Sequence, residues 1–152
     1  MTHTDNNEAA IRGLVDIFVE GWNAADGTKL ASAFRADADF TAITGLHAHG
    51  RDVIARGHDE ILSTIYRGTR NAGEVESILF LRPDVAVVNV KFTVRGEDES
   101  PAFGIPYTSA GIIATKEHGA WAIAVFRNMV PFARPMAGPV EQEFSGAKTA
   151  EA

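Results

Sequence analysis

Near residue 74 the spacing of apolar side chains changes from roughly 3.6 residues to roughly 2. Ahead of that point Ile11, Leu14, Val15, Phe18 and Trp22 recur at steps of three and four, the apolar stripe of a helix. Beyond it, in "VAVVNVKFTVRG" (85–96), Val88, Val90, Phe92 and Val94 share one face, and Asn89, Lys91 and Thr93 take the other. A chain with helices gathered at its front and strands at its back folds as α+β rather than as alternating βαβ units. The expected architecture is a cone, a curved antiparallel (mixed) sheet wrapped on about three N-terminal helices. Such a wrap leaves an internal apolar pocket, the default position for a ligand.

The individual elements follow from local signals. A capping-box variant of Asp5 with Glu8 opens the first helix, and "NAADG" (23–27) ends it. Asp26 or Thr28 caps a short second helix carrying Leu30 and Phe34. "ADADFTAIT" (36–44) reads as a strand. Gly45 and Gly50 bracket a loop, and a third helix starts near Arg51. Its apolar face is Ile54, Ile61 and Ile65, with Leu62 at the margin, and "RGTRNAG" (67–73) closes it as a turn. Strands are expected at 75–82 and 85–96, then a hairpin of 107–117 and 120–130 across His118-Gly119. Residues 1–130 thus make one domain. Residues 131–152, with Pro131, Pro135 and Pro139, read as an extended or partly disordered tail.

Composition removes several classes of function. The net charge of −6 does not favour nucleic acid or an anionic membrane. The absence of cysteine excludes disulfides, thiolate metal sites and thiol nucleophiles. No signal-like or membrane-spanning apolar run is visible, so a cytoplasmic protein is the expectation. The glycines never form G-x-G-x-x-G after a strand, so no nicotinamide or flavin cofactor is expected.

Three histidines fall within "HAHGRDVIARGH" (47–58). His47 and His49 are spaced as in an H-x-H metal clasp. A zinc or iron site needs further ligands and orienting partners, and no carboxylate is placed to complete the set with His58. They read as loop residues at the pocket rim, and no metal is expected. His58 differs, because Ile54, His58, Ile61 and Ile65 follow i, i+4, i+7 and i+11. That puts an imidazole in the middle of a buried stripe, where it needs a partner. Asn89, Asn128, a tyrosine hydroxyl, a backbone carbonyl or a ligand would serve. A satisfied core histidine is one reading, and an acid-base group in the pocket is the other. The aromatic side chains Phe18, Trp22, Phe40, Tyr66, Phe92, Tyr107 and Phe126 are candidate ligand-binding walls.

The runs "WNAADGTKLASAFRADADFTAITG", "GRDVIARGHDEIL", "LRPDVAVVNVKF" and "WAIAVFRN" resemble the SgcJ/EcaC family. That family is SnoaL-like and lies in the superfamily of nuclear transport factor 2 and ketosteroid isomerase. The resemblance covers about residues 8 to 130. It implies a conical fold, a homodimer formed through the sheet, and a pocket for a hydrophobic small molecule. Several members are encoded beside polyketide and enediyne biosynthesis enzymes. It also implies that Asn128, from the family's F-x-N pattern, rather than Arg127, looks into the cone. The carboxylate base of the isomerases falls at Ala42 or Ile43, and the late strands offer no Asp for a SnoaL-type cyclase. Two readings follow: a cofactor-free cyclisation or isomerisation resting on His58 and Asn128, or a carrier that sequesters a hydrophobic metabolite without chemistry. A metal-dependent, oxygen-using enzyme is a third.

Overall fold

The computed structural model describes residues 2–131 of the chain. The 131–152 tail of the sequence reading, Pro131 apart, lies outside the described residues.

Helix α1 spans His3–Asn23 and buries Ile11, Leu14, Val15, Phe18 and Trp22, the stripe expected from the sequence. Its start is earlier than Asp5. The Asp5 N–H donates to Thr2 Oγ1 at 3.1 Å, and the Thr2 N–H returns a bond to Asp5 Oδ2 at 3.1 Å. This closed box satisfies two helix-end donors at once, which the Asp5–Glu8 pairing does not. Helix α2, Gly27–Ala31, is capped by Asp26, whose carboxylate accepts the Lys29 N–H at 3.0 Å. It stops before Phe34, which opens strand β1, Phe34–Thr41.

The bracketed loop contains a short strand, β2, His47–His49, paired antiparallel with β1. Three residues with one inward alanine carry no periodic signal, so the segment reads as loop from sequence. Helix α3, Arg51–Ser63, buries Ile54, His58 and Leu62. The inward row is thus i, i+4, i+8. Ile61 is half-buried, and Ile65 lies past the helix end, exposed. Strand β3 is Arg70–Arg82, five residues longer at its start than expected. Strands β4 (Val85–Arg95), β5 (Thr108–Glu117) and β6 (Ala120–Met129) follow closely the expected spans. The β5–β6 turn sets His118 and Gly119 at φ of 52° and 79°, the two positive values that a tight hairpin requires.

The sheet order is β2-β1-β6-β5-β4-β3, antiparallel except where β1 joins β6. Register shifts in β3 and between β5 and β6 add curvature. Helix α1 lies in the concavity against β3 and β6; α2 packs between α1 and α3, and α3 lies over β1 and β2. No helix among the described residues is long and apolar enough to cross a membrane.

Gly21 sets how closely α1 and α2 approach. A methyl at this position would sit 2.6 Å from Leu30 Cα, a backbone atom that cannot swing aside. Helix propensity alone favours alanine by about 1 kcal/mol. Overpacking typically costs about 1–3 kcal/mol and occasionally more, and a clash with backbone falls at its upper end. Gly21→Ala is therefore expected to lower stability by roughly 1–2 kcal/mol in urea denaturation. An increase would show that the two helices can move apart freely.

Candidate functional site

The space left in the cone is a cavity of about 270 Å³. Phe18 and Trp22 of α1 and Phe40 of β1 form one side; Phe92 and Val94 of β4 form another. Gly57, His58 and Ile61 of α3 close the third. The mouth is framed by exposed apolar side chains, Leu46 at 72% and Ile65 at 63% exposure. Beside it Phe103, from the 3-10 turn Ala102–Gly104, packs edge-on against Tyr66 at 5.1 Å. Among the described residues no Asp, Glu, Lys or Arg lines the cavity.

His58 is only 5% exposed. Its Nδ1 lies 2.8 Å from the Ile54 carbonyl oxygen, one helical turn back. A carbonyl oxygen only accepts, so Nδ1 carries the hydrogen and Nε2 of the neutral ring carries a lone pair. Burial pushes the imidazole below its ordinary pKa, against weaker opposing effects of the Ile54 carbonyl and the Asp59 charge. Asp59 itself points away and accepts the Gly27 N–H at 2.7 Å, tying α3 to the start of α2. Three aromatic edges surround the imidazole: Phe40 at 5.2 Å, Phe18 at 5.9 Å and Trp22 at 6.3 Å. Nε2 has no protein partner among the described residues and is left for the contents of the cavity.

Two asparagines add to the polar lining, beside Thr44, Tyr66 and Thr108. Asn128 faces inward on β6, and Asn71 reaches the cavity from β3. The Oδ1 atoms of both are fully buried, without a hydrogen-bond partner among the described residues. Asn71 is held through its backbone. Asn23 at the end of α1 donates Nδ2 to the Asn71 carbonyl at 3.0 Å and accepts the Asn71 N–H at 2.7 Å. This carboxamide clasp imitates a neighbouring strand and pins the otherwise unpaired edge of β3. It explains why "RNAG", with no apolar alternation, is strand rather than turn. Tyr66 is half-buried, and burial raises its phenol, so it remains a neutral donor. The Trp22 indole N–H is already engaged with Thr69 Oγ1 at 3.1 Å, so Trp22 offers only its ring.

Of the residues expected at the site, His58, Asn128, Phe18, Trp22, Phe40, Tyr66 and Phe92 all line this cavity. Two do not. Phe126 is wholly buried beneath it, stacked between Phe40 at 4.8 Å and Phe18 at 5.2 Å. Tyr107 borders a separate small crevice, with the Lys91 ammonium 4.7 Å from its ring centre. Ala42 and Ile43 stand in the cavity wall, where a carboxylate base would be expected. Asn71 and Thr108 were not anticipated, because an isolated polar residue at a strand end gives no periodic signal. His47 and His49 are exposed on β2, with His47 Nδ1 3.1 Å from Thr41 Oγ1 and 3.7 Å from Asp39. Among the described residues no three of His, Asp and Glu are grouped to hold a metal ion.

The buried imidazole has a measurable signature. In the unfolded chain it takes up a proton near pH 6.5, whereas the folded chain resists to lower pH. Between those values the unfolded state binds more protons, so stability falls as pH drops. Above that window neither state is protonated and the contribution vanishes. Urea midpoints measured from pH 8 down to about pH 5.5 are expected to fall more steeply for the wild type than for His58→Leu. Parallel curves would mean that His58 is solvated.

No protein-family model and no curated protein sequence matches this chain. Solved structures do match in shape. A domain of unknown function with a cystatin-like fold from Nostoc punctiforme superposes with a TM-score of 0.78 at 23% identity, covering 94% of each chain. A hexachlorocyclohexane dehydrochlorinase, LinA-type3, from Novosphingobium barchaimii gives 0.73 at 15% identity, covering 90% of this chain and 94% of its own. A structure assigned as a scytalone dehydratase from Novosphingobium aromaticivorans gives 0.67 at 18% identity, covering 90% and 92%. The chain therefore has the cystatin-like α+β fold, the open cone that the switch of hydrophobic period implied.

Proposed function

We propose that this protein binds a neutral, predominantly apolar small molecule inside the cone and that His58 exchanges a proton with it without a cofactor. The observation that carries the reading is a neutral imidazole whose Nε2 has no partner among the described residues, in a cavity that no charged side chain among those residues lines. Nε2 takes a proton from carbon next to a carbonyl, leaving an enolate and an imidazolium. Returning the proton to a different carbon completes an isomerisation. Alternatively the enolate carbon attacks a second carbonyl of the same molecule, and the new alkoxide recovers the proton as the ring closes. The Tyr66 hydroxyl and the Asn128 carboxamide N–H are among the neutral donors in the lining that can steady the developing oxyanion. Two of the structural relatives are named for a dehydrochlorinase and a dehydratase, which supports chemistry on small molecules in this fold. The resemblance to the SgcJ/EcaC family favours a polyketide- or enediyne-type intermediate as the natural ligand.

The test uses a generic carbon acid of suitable size. β-Tetralone in D2O is expected to exchange its α-protons faster with the protein than without, by NMR. His58→Ala should lose roughly 100-fold or more of that acceleration while β-tetralone still quenches Trp22 fluorescence. Binding without any acceleration in the wild type would leave the carrier reading in place of the enzymatic one.

A homodimer through the outer face of the sheet belongs to the same proposal. Leu79, Val87, Ile113 and Val125 lie side by side in register across four strands, with side chains turned away from the core. Leu79 is 59% exposed. An apolar row of this kind is favourable when a second copy covers it. Light scattering is expected to give twice the chain mass, and Ile113→Lys to give the single-chain mass. A wild-type monomer at micromolar concentration would refute the dimer.

A further inference from the structure

We infer that Gly57 is a specificity-determining residue, whose missing side chain leaves a slot in the cavity mouth for an apolar arm of the ligand. The ligand class is thus a flat ring body carrying an alkyl extension. The inference rests on the cavity being the binding site. Among the described residues four glycines stand in the α-helices, and they divide by what a methyl group would meet. At Gly21 it would meet the Leu30 backbone, and at Gly27 the Ala55 carbonyl and the Asp59 carboxylate. Close packing requires those two. At Gly13 and Gly57 no heavy atom of the described residues lies within 4 Å of the methyl position, chain neighbours and the helix's own backbone apart. Both have ordinary helical backbone, where glycine is less favourable than alanine. The fold therefore gains nothing from glycine at either position.

Gly57 differs from Gly13 in lining the cavity. Ile61 follows it one turn along α3, and Ile65 continues the line past the helix end; all three belong to the lining. The turn between β1 and β2 adds Ile43 and Leu46 to the same wall. Gly57, Leu46 and Ile65 are exposed, whereas Phe18, Phe40 and Phe92 are buried. The cavity is therefore aromatic at its inner end and aliphatic at its outer end, with a gap in the aliphatic part at position 57. Rings stack or pack edge-on with the inner walls, which suits a flat body there. The outer walls offer aliphatic contact without ring faces, which suits a chain. A side chain on α3 at position 57 would take the space through which that chain leaves the interior.

Amide NMR titration of the full chain with acetophenone and with 4-butylacetophenone compares the ring alone with the ring and its arm. The wild type is expected to bind the butyl compound at least about tenfold more tightly, since each buried methylene is worth roughly fourfold. Gly57→Leu should remove most of that preference while its affinity for acetophenone stays within about twofold. Gly13→Ala should bind both ketones as the wild type does. Thermal unfolding checks that position 57 is open in the free protein: Gly57→Ala and Gly13→Ala should each raise Tm by about 2–4 °C. A fall in Tm for Gly57→Ala would overturn the inference, because the fold would then require the glycine. No gain from the butyl arm in the wild type, or an unchanged preference in Gly57→Leu, would overturn the slot and leave the cavity reading intact. An equal loss of both ketones in Gly57→Leu would also overturn it, since position 57 would then close the whole mouth. Failure of both ketones to bind the wild type would overturn the cavity reading as well.

Discussion

The ring of Phe126 is where the fold and the cavity meet. It is stacked on Phe40 and Phe18 and lies within 6.1 Å of Phe34 and Phe92, so one side chain joins β6 to β1, α1 and β4. Aromatic pairs in these geometries add to the energy of burial and fix ring orientation. Phe18, Phe40 and Phe92 show one side to Phe126 and another to the cavity. The floor of the cavity is thus the upper surface of the core. It can be deformed only by disturbing four elements together, which keeps the space open against collapse.

In that setting a few polar atoms dominate the chemistry. A site lined mainly by rings and aliphatic side chains has a low local dielectric, and each lone pair that faces inward acts more strongly than it would in water. His58 shows how the protein uses this. Its position on α3 gives it a backbone carbonyl one turn back, which fixes the tautomer, and its burial fixes the charge. The result is a weak base kept unprotonated at neutral pH, directed by the helix rather than by a carboxylate partner.

Much of the architecture was legible in the sequence because it is periodic. The helix-to-strand switch, the α1 stripe and the inward face of β4 all repeat at a fixed interval, and the structure follows them. Pieces that depend on one long-range contact were not legible. Strand β3 starts at Arg70 because Asn23, far away in sequence, clasps Asn71; nothing local announces it. Leu62 displaces Ile65 from the buried row of α3 because the helix ends at Ser63, and apolar spacing does not mark that end. The site divides in the same way. His58 stood out as a polar residue within an apolar period, and Asn128 through the resemblance. Phe126 has the composition of a cavity wall but sits one layer too deep, a distinction that only packing makes.

The apolar mouth has a kinetic consequence. Leu46, Ile65 and Phe103 stand in water at the threshold of a largely apolar interior. A greasy molecule touching them sheds part of its hydration shell before it passes inside. One steep desolvation barrier is thereby divided into two lower steps, and the rate of capture rises with the lipophilicity of the guest. Selection at this threshold is for oiliness and is fast. Selection among the polar atoms beyond it governs how long the guest stays, so one protein ranks ligands by arrival and by residence on different chemical grounds.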